Sequence, residues 1–174
     1  QITEEQAKTI VSHYLQTSSS EAIQLAAMMA AAPVDIRVID LLRKTKLSEK
    51  DIEPIHVAEF YMGGLLEVIE EKEGQARVYD FLPWVRSILN HAYGGVRSAK
   101  VLDAISEYIG EQIKYPIKTF RGLLAYLPNY TPEQQQFILP FAEISLSILE
   151  NLGGKYAEYA CINVDASSKK IMIE

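Results

Sequence analysis

Three residues whose types could support acid–base or metal chemistry follow one another along a predicted helix. Glu53, His56 and Glu59 are each one helical turn apart, so they share one side of the helix. Such a set could transfer a proton or bind a metal. A catalytic metal needs about three protein ligands and a supporting shell, and no further His or Cys lies in register nearby. We therefore interpret these residues as structural or capping groups.

No other motif predicts an active site. Cys161, the only cysteine, has no His or Asn near it in sequence, fits a reducing cytoplasm and is expected to be a small buried residue. The pairs Gly63–Gly64, Gly94–Gly95 and Gly153–Gly154 lack the Lys-Ser/Thr of a phosphate loop and are interpreted as helix ends. We predict a protein without catalytic residues, metal or cofactor, and not an enzyme.

Composition limits the class of protein further. The 174 residues are 48% apolar, which is enough to build a core for one domain or two small packed ones. The net charge of -6 makes a nucleic-acid partner unlikely, because phosphate binding relies on Lys and Arg. No apolar run approaches the roughly 20 residues of a membrane span, and the amino end lacks a signal-peptide pattern. We expect a cytoplasmic protein without a membrane partner.

Capping signals predict three helices in the first 50 residues. Thr3 with Gln6, and Ser18 with Glu21, each have the spacing of a capping box. Pro33 must end the second helix and can serve in the first turn of the third.

A helix, a hairpin and another helix are predicted next. The fourth helix is traced by an apolar set at helical spacing: Ile52, Ile55, Ala58 and Met62. Strand-like segments then flank Gly74, which suits a hairpin turn, and Pro83 opens a helix that stops at Gly94. Three helices, a two-stranded wing and a closing helix form the order of a winged-helix unit.

The remainder is predicted to be helical. Thr131 caps a long helix, and residues 161–174 form a tail or short strand. An apolar stripe on that helix must pack on the winged-helix half, which we favour, or on another chain: Phe137, Phe141, Ile144, Ile148 and Leu152. We predict a mainly α fold with four segments: an N-terminal helix (1–20), a winged-helix-like unit (21–93), a packed helical subdomain (94–160) and the tail.

Basic residues and the sole tryptophan form the candidate interaction surface. Arg37, Arg43, Lys44 and Lys46 crowd one predicted helix, where cations also suit a solvated helix end. Trp84 opens a helix and could belong to the core or anchor a partner.

The basic residues would support a DNA-binding winged-helix regulator, which is the alternative function. The helix before the wing would then enter the major groove. That helix carries Asp51, Glu53 and Glu59, and the wing carries further glutamates, so this surface would repel phosphates. A protein-contact module is favoured.

Two stretches of the chain resemble a known family. HVAEFYMGGLLEV followed by RVYDFLPWVRSILN, and later PFAEISLSILENLGGKYAEYA, resemble a non-catalytic winged-helix and helical module of large multidomain bacterial proteins, notably cyanobacterial and actinobacterial ones. The family pattern favours glycine where this chain has Trp84. The winged helix is also similar to the one that follows the nucleotide-binding core of signal-transducing NTPases.

The resemblance implies a regulatory or protein–protein interaction module of a signalling or conflict-system protein. Its implied partners are effector or sensor domains of the same polypeptide or of another protein, such as caspase-like peptidases, TIR domains or signalling NTPases. A second copy of the chain, in a homo-oligomer, is a further alternative partner. No catalytic residue is carried over.

Overall fold

The fold is mainly helical, with a small antiparallel hairpin among the helices, as predicted. A computed structural model describes residues 1–45, 47–94, 96–114, 116–125, 127–136, 138–139, 141–142, 162–165 and 170–173. The helices are α1 Glu4–Thr17, α2 Ser20–Met29, α3 Ile36–Lys44, α4 Pro54–Met62, α5 Val85–Tyr93, α6 Val96–Ile113 and α7 Phe120–Ala125. The strands are β1 Leu66–Glu70, β2 Val78–Phe81, β3 Ile162–Asp165 and β4 Lys170–Ile173. No helix in the described ranges is long and apolar enough to cross a membrane.

The first helices begin with side-chain caps. Thr3 and Gln6 form the predicted capping box at α1. At α2 the cap is Ser19 rather than Ser18, because the Ser19 hydroxyl accepts the backbone N–H of Ala22. The predicted cap was therefore one residue too early, and no capping box forms at α2, because Ala22 stands at the third helical position.

Helix α3 begins later than predicted. Pro33 was expected in its first turn, but α3 starts at Ile36 with Asp35 as its N-cap. The Asp35 carboxylate accepts the backbone N–H of Arg37, and this bond makes Asp35 the better start.

Helix α4 buries a different side from the one predicted. Pro54 occupies its first turn and Gly63 its C-cap, as expected. Its buried residues are Val57 and Phe60, whereas Ile55 and Met62 are 70% and 85% exposed. The apolar set used to trace the helix is therefore mostly its outer side.

The hairpin is held against α4 by aromatic rings. Strands β1 and β2 pair antiparallel, and Gly74 in the connection has a positive φ of 75°, which glycine adopts without strain. The rings of Phe60 and Phe81 lie 6.0 Å apart, and those of Tyr61 and Tyr79 lie 5.3 Å apart. These edge contacts fix the hairpin beside the helix.

One hydrophobic core runs through both predicted halves. Its buried residues extend from Ala7 to Ala142, and α3 packs against α6. Phe141 is buried, and its ring lies 5.6 Å from that of Phe120. This placement agrees with packing of the C-terminal stripe inside the chain, although its residues Phe137, Ile144, Ile148 and Leu152 lie outside the described residues.

The end of the chain contains a second hairpin. The predicted strand is present as β4, and β3 pairs with it antiparallel. The pairing supplies the partner that the sequence did not identify.

Candidate functional site

Large apolar side chains are exposed mainly in one segment of the chain. The described residues include seven such side chains, and six of them lie between positions 55 and 84. We call these six the α4–hairpin surface: Ile55, Met62, Val68, Ile69, Val78 and Trp84. The seventh, Ile36, lies at the start of α3.

The α4 part of this surface follows from the helical repeat. Ile55 and Met62 are seven residues apart, so they project from the same side of the helix, two turns apart. Ala58 lies between them and is exposed. Val57 and Phe60 point to the opposite side and fill the core. The outer side of α4 is therefore a two-turn apolar row.

The hairpin carries three further exposed apolar residues, Val68, Ile69 and Val78. Val68 pairs with Tyr79, so both side chains lie on the face of the hairpin whose Tyr79 ring contacts Tyr61 of α4. Ile69 lies at an irregularity in the β1–β2 register. Such bulges discourage edge-to-edge pairing of strands, which leaves side chains as the main means of contact here.

Trp84 lies at the base of the hairpin in an unusual backbone conformation. Its φ is 72° and it is the N-cap of α5 without a side-chain cap hydrogen bond. A left-handed conformation costs a non-glycine residue about 1–2 kcal/mol. The indole is nevertheless 52% exposed. Glycine adopts a positive φ without strain, so tryptophan is an uncommon residue at this position.

A backbone hydrogen bond joins the two chain segments that adjoin Met62 and Trp84. The backbone N–H of Leu82 donates to the carbonyl of Leu65 at 2.9 Å. Met62 precedes Leu65 by three residues and Trp84 follows Leu82 by two. The end of α4 and the start of α5 are thereby brought to the same end of the hairpin.

The hairpin also carries exposed carboxylates. Glu67, Glu70, Glu71 and Glu73 are all exposed on the hairpin. Its cations are neutralised locally, because Lys72 pairs with Glu70 and the Arg77 Nε lies 2.7 Å from Glu71 Oε1. Glu67 and Glu73 form no ion pair with the described residues. The surface is apolar and acidic.

A partly buried arginine links the hairpin, α2 and α5. Arg86 donates from Nη1 to the carbonyls of Met29, Ala30 and Ala32, the last at 2.5 Å, and from Nη2 to Asp80 Oδ1 at 2.6 Å. The Met29 carbonyl also accepts the backbone N–H of Ala32, and the Ala30 carbonyl also accepts Asn90 Nδ2, so Arg86 adds to the bonds that end α2. Burial lowers the pKa of Arg86, an effect that the Asp80 carboxylate opposes.

His56 and Glu59, the residues considered for acid–base chemistry, form hydrogen bonds that stabilise the fold. His56 Nδ1 accepts the backbone N–H of Glu53 at 2.9 Å, as a cap of α4. Glu59 accepts the backbone N–H and the hydroxyl of Ser19, both at 2.6 Å, and the hydroxyl above all lowers the pKa of Glu59. His56 Nε2 lies 3.9 Å from Glu21. No group of three metal-ligating side chains occurs among the residues that the structure describes.

Two of the four predicted basic residues have carboxylate partners. Arg37 forms two side-chain hydrogen bonds with Asp35. Arg43 donates to the Ile52 carbonyl at 2.7 Å and lies 3.4 Å from Asp40. Lys44 is exposed, and Lys46 lies outside the described residues. Trp84 belongs to the α4–hairpin surface instead.

One cleft of about 310 Å³ lies beside α3. Val38, Ile105 and Phe141 are among its apolar walls. Its charged residues, Asp35 and Arg37, are bonded to each other, so the cleft offers a ligand no unneutralised charge.

Comparisons with protein-family models, curated proteins and solved structures give no match to this chain.

Proposed function

We propose that the chain is a non-catalytic regulatory or protein–protein interaction module of a multidomain bacterial signalling or conflict-system protein. Its contact with an effector or sensor domain is made through the α4–hairpin surface. The observation that carries this proposal is the concentration of exposed large apolar side chains in that one segment. Large apolar side chains left in water are a common mark of a contact surface, since covering them releases free energy.

The bonding of the reactive side chains supports a non-catalytic role. A general base must be able to reach a substrate proton. His56 Nδ1 is engaged with its own helix and both Glu59 oxygens are engaged with Ser19. These bonds give the residues a structural task.

The same geometry argues against the DNA-binding alternative. The helix and hairpin that would face DNA carry exposed carboxylates, while Arg37 and Arg43 are paired with Asp35 and Asp40. We expect duplex DNA to bind no more tightly than the nonspecific range of about 10⁻⁴ to 10⁻⁶ M at physiological salt. A sequence-specific nanomolar complex in a mobility-shift titration would contradict this expectation.

A site-specific cross-link tests the proposed contact. A photoreactive amino acid is placed at position 62 or, as a control, at position 36, in cells that make the native protein. We expect one discrete protein adduct, or one cross-link within the polypeptide, from position 62 only. The identified partner is then purified, and Met62→Asp should abolish its binding while Ile36→Asp leaves it intact. Unchanged binding by Met62→Asp, or equal adducts from both positions, would contradict the proposal.

A further inference from the structure

We infer that the cleft beside α3 is a binding site for a small, uncharged aromatic molecule. The cleft has a volume of about 310 Å³, which lies at the lower end of the roughly 300–1,000 Å³ typical of small-molecule pockets. None of the residues that line it belongs to the α4–hairpin surface. The inference therefore goes beyond the proposed contact with a partner domain and does not depend on it.

The walls of the cleft are mainly apolar side chains that also belong to the core. Ile105 and Ile109 follow one another by one turn of α6 and are 2% and 4% exposed. Phe141 is equally well buried, and Val38 lines the cleft from α3 while packing against the same core. Because close-packed side chains keep their positions, these walls hold the shape of the cleft without a ligand.

The charges in the cleft favour an uncharged ligand. Arg37 Nε lies 3.1 Å from Asp35 Oδ1, and Arg37 Nη2 lies 3.0 Å from Asp35 Oδ2. The hydrogen bond with Arg37 above all lowers the pKa of Asp35, so the two groups stay ionised and bonded to each other at neutral pH. A ligand carboxylate or ammonium would have to break this pair or remain without a counter-charge, and either costs free energy.

The rings in the lining favour an aromatic ligand. Tyr108 and Phe141 both line the cleft, and aromatic pairs attract each other beyond the effect of the area they bury. Water beside apolar walls finds few hydrogen-bond partners, so a ring that displaces it gains free energy. The favoured occupant is therefore a small molecule with an aromatic ring and no net charge.

The cleft joins two parts of the chain that the sequence analysis treats as separate segments. Four of its lining residues fall in positions 33–38, at the start of α3, and three fall in α6. Helix α3 packs against α6, so a ligand in the cleft contacts both helices. A ligand that binds only the folded chain stabilises it. We therefore expect the bound ligand to raise the melting temperature of the whole chain.

The test titrates the full 174-residue chain with three probes that share an indole ring and differ in the charge of a short side chain: tryptophol, tryptamine and indoleacetate. Methyl NMR spectra report where each probe binds. We expect uncharged tryptophol to shift the Ile105 and Ile109 signals in a saturable titration and to raise the melting temperature. The two ions should bind at least about tenfold more weakly. No saturable shift with tryptophol, equal binding of either ion, or equal shifts at the exposed Ile55 would overturn the inference.

A variant that fills the cleft checks the location of the site. Val38→Trp adds a large ring to the α3 wall and should weaken tryptophol binding at least about tenfold. Ile36→Trp adds the same ring at an exposed position of α3 that does not line the cleft, and it should bind as the parent does. Melting curves check that each variant folds, and Val38→Phe replaces Val38→Trp if the larger ring unfolds the chain. Full affinity in the filled variant, or an equal loss in the control, would overturn the inference.

Discussion

The two sides of helix α4 carry apolar residues of similar size in opposite environments. Val57 and Phe60 are buried in the core, whereas Ile55 and Met62 are in water. Phe60 contacts Phe81 and Tyr61, while the outer pair is 70% and 85% exposed. The difference shows that apolar spacing identifies a helix side but not the neighbour that covers it.

The inner side should account for the largest loss of stability. Phe60→Ala removes a fully buried ring and should lower the free energy of unfolding by about 3–5 kcal/mol. Met62→Ala, on the outer side, is the matched control and should change it by less than about 0.5 kcal/mol. Urea unfolding of both variants checks the comparison. Similar losses in the two variants would break the distinction between the sides.

Arg86 should have the next largest effect, because it connects the hairpin to the inner helices. Arg86→Met leaves Asp80 without its cation and removes the guanidinium donor from the Ala32 carbonyl. We expect a loss of about 2–3 kcal/mol. Arg86→Lys should recover only part of it, since lysine lacks the planar set of donors. Full recovery by lysine in thermal unfolding would show that only the charge matters.

The Glu59–Ser19 contact should make stability depend on pH. The folded pKa of Glu59 lies below its ordinary value of 4.5, so its contribution is present above about pH 4.5 and is lost as pH falls through the folded pKa. Glu59→Gln should therefore be less stable at neutral pH, by on the order of 1 kcal/mol. The gap from the parent should narrow in acid. A gap that stays constant from pH 7 to about pH 3 would contradict this assignment.

The smallest effect is expected at Trp84, where strain and contact oppose each other. Trp84→Gly loses the half-buried indole but relieves the positive φ, whereas Trp84→Ala loses the indole and keeps the strain. Glycine should therefore give a protein about 1 kcal/mol more stable than alanine does. Urea unfolding of the two variants decides this. Alanine equal to glycine would mean that the backbone at position 84 is not left-handed in solution.

Local signals in the sequence predicted much of the fold. The capping boxes at Thr3 and Thr131, the turn at Gly74 and the first-turn Pro54 depend on nearest neighbours, and all are present. Each of these features is caused by residues only a few positions apart. The order of the helices and the hairpin could therefore be predicted from the sequence.

The candidate site was predicted less well because its features depend on distant residues. Arg43 was predicted as a surface cation. Its side chain donates to the Ile52 carbonyl, which lies nine residues further along the chain. Which side of α4 is exposed is decided by the hairpin rings and by α2. The sequence marks Trp84 as a candidate contact residue, whereas Met62 and Ile55 enter its helical repeat alone.

The central claim is that the outer side of α4 contacts a partner and does not stabilise the fold. Urea unfolding of two matched double variants tests this claim most directly. The outer variant is Ile55→Ser/Met62→Ser and the inner variant is Val57→Ser/Phe60→Ser. The account predicts that the outer variant unfolds cooperatively within about 1 kcal/mol of the parent, while the inner variant loses its cooperative transition. A loss of more than about 2 kcal/mol in the outer variant would contradict it, because the outer side would then belong to the protein's own core.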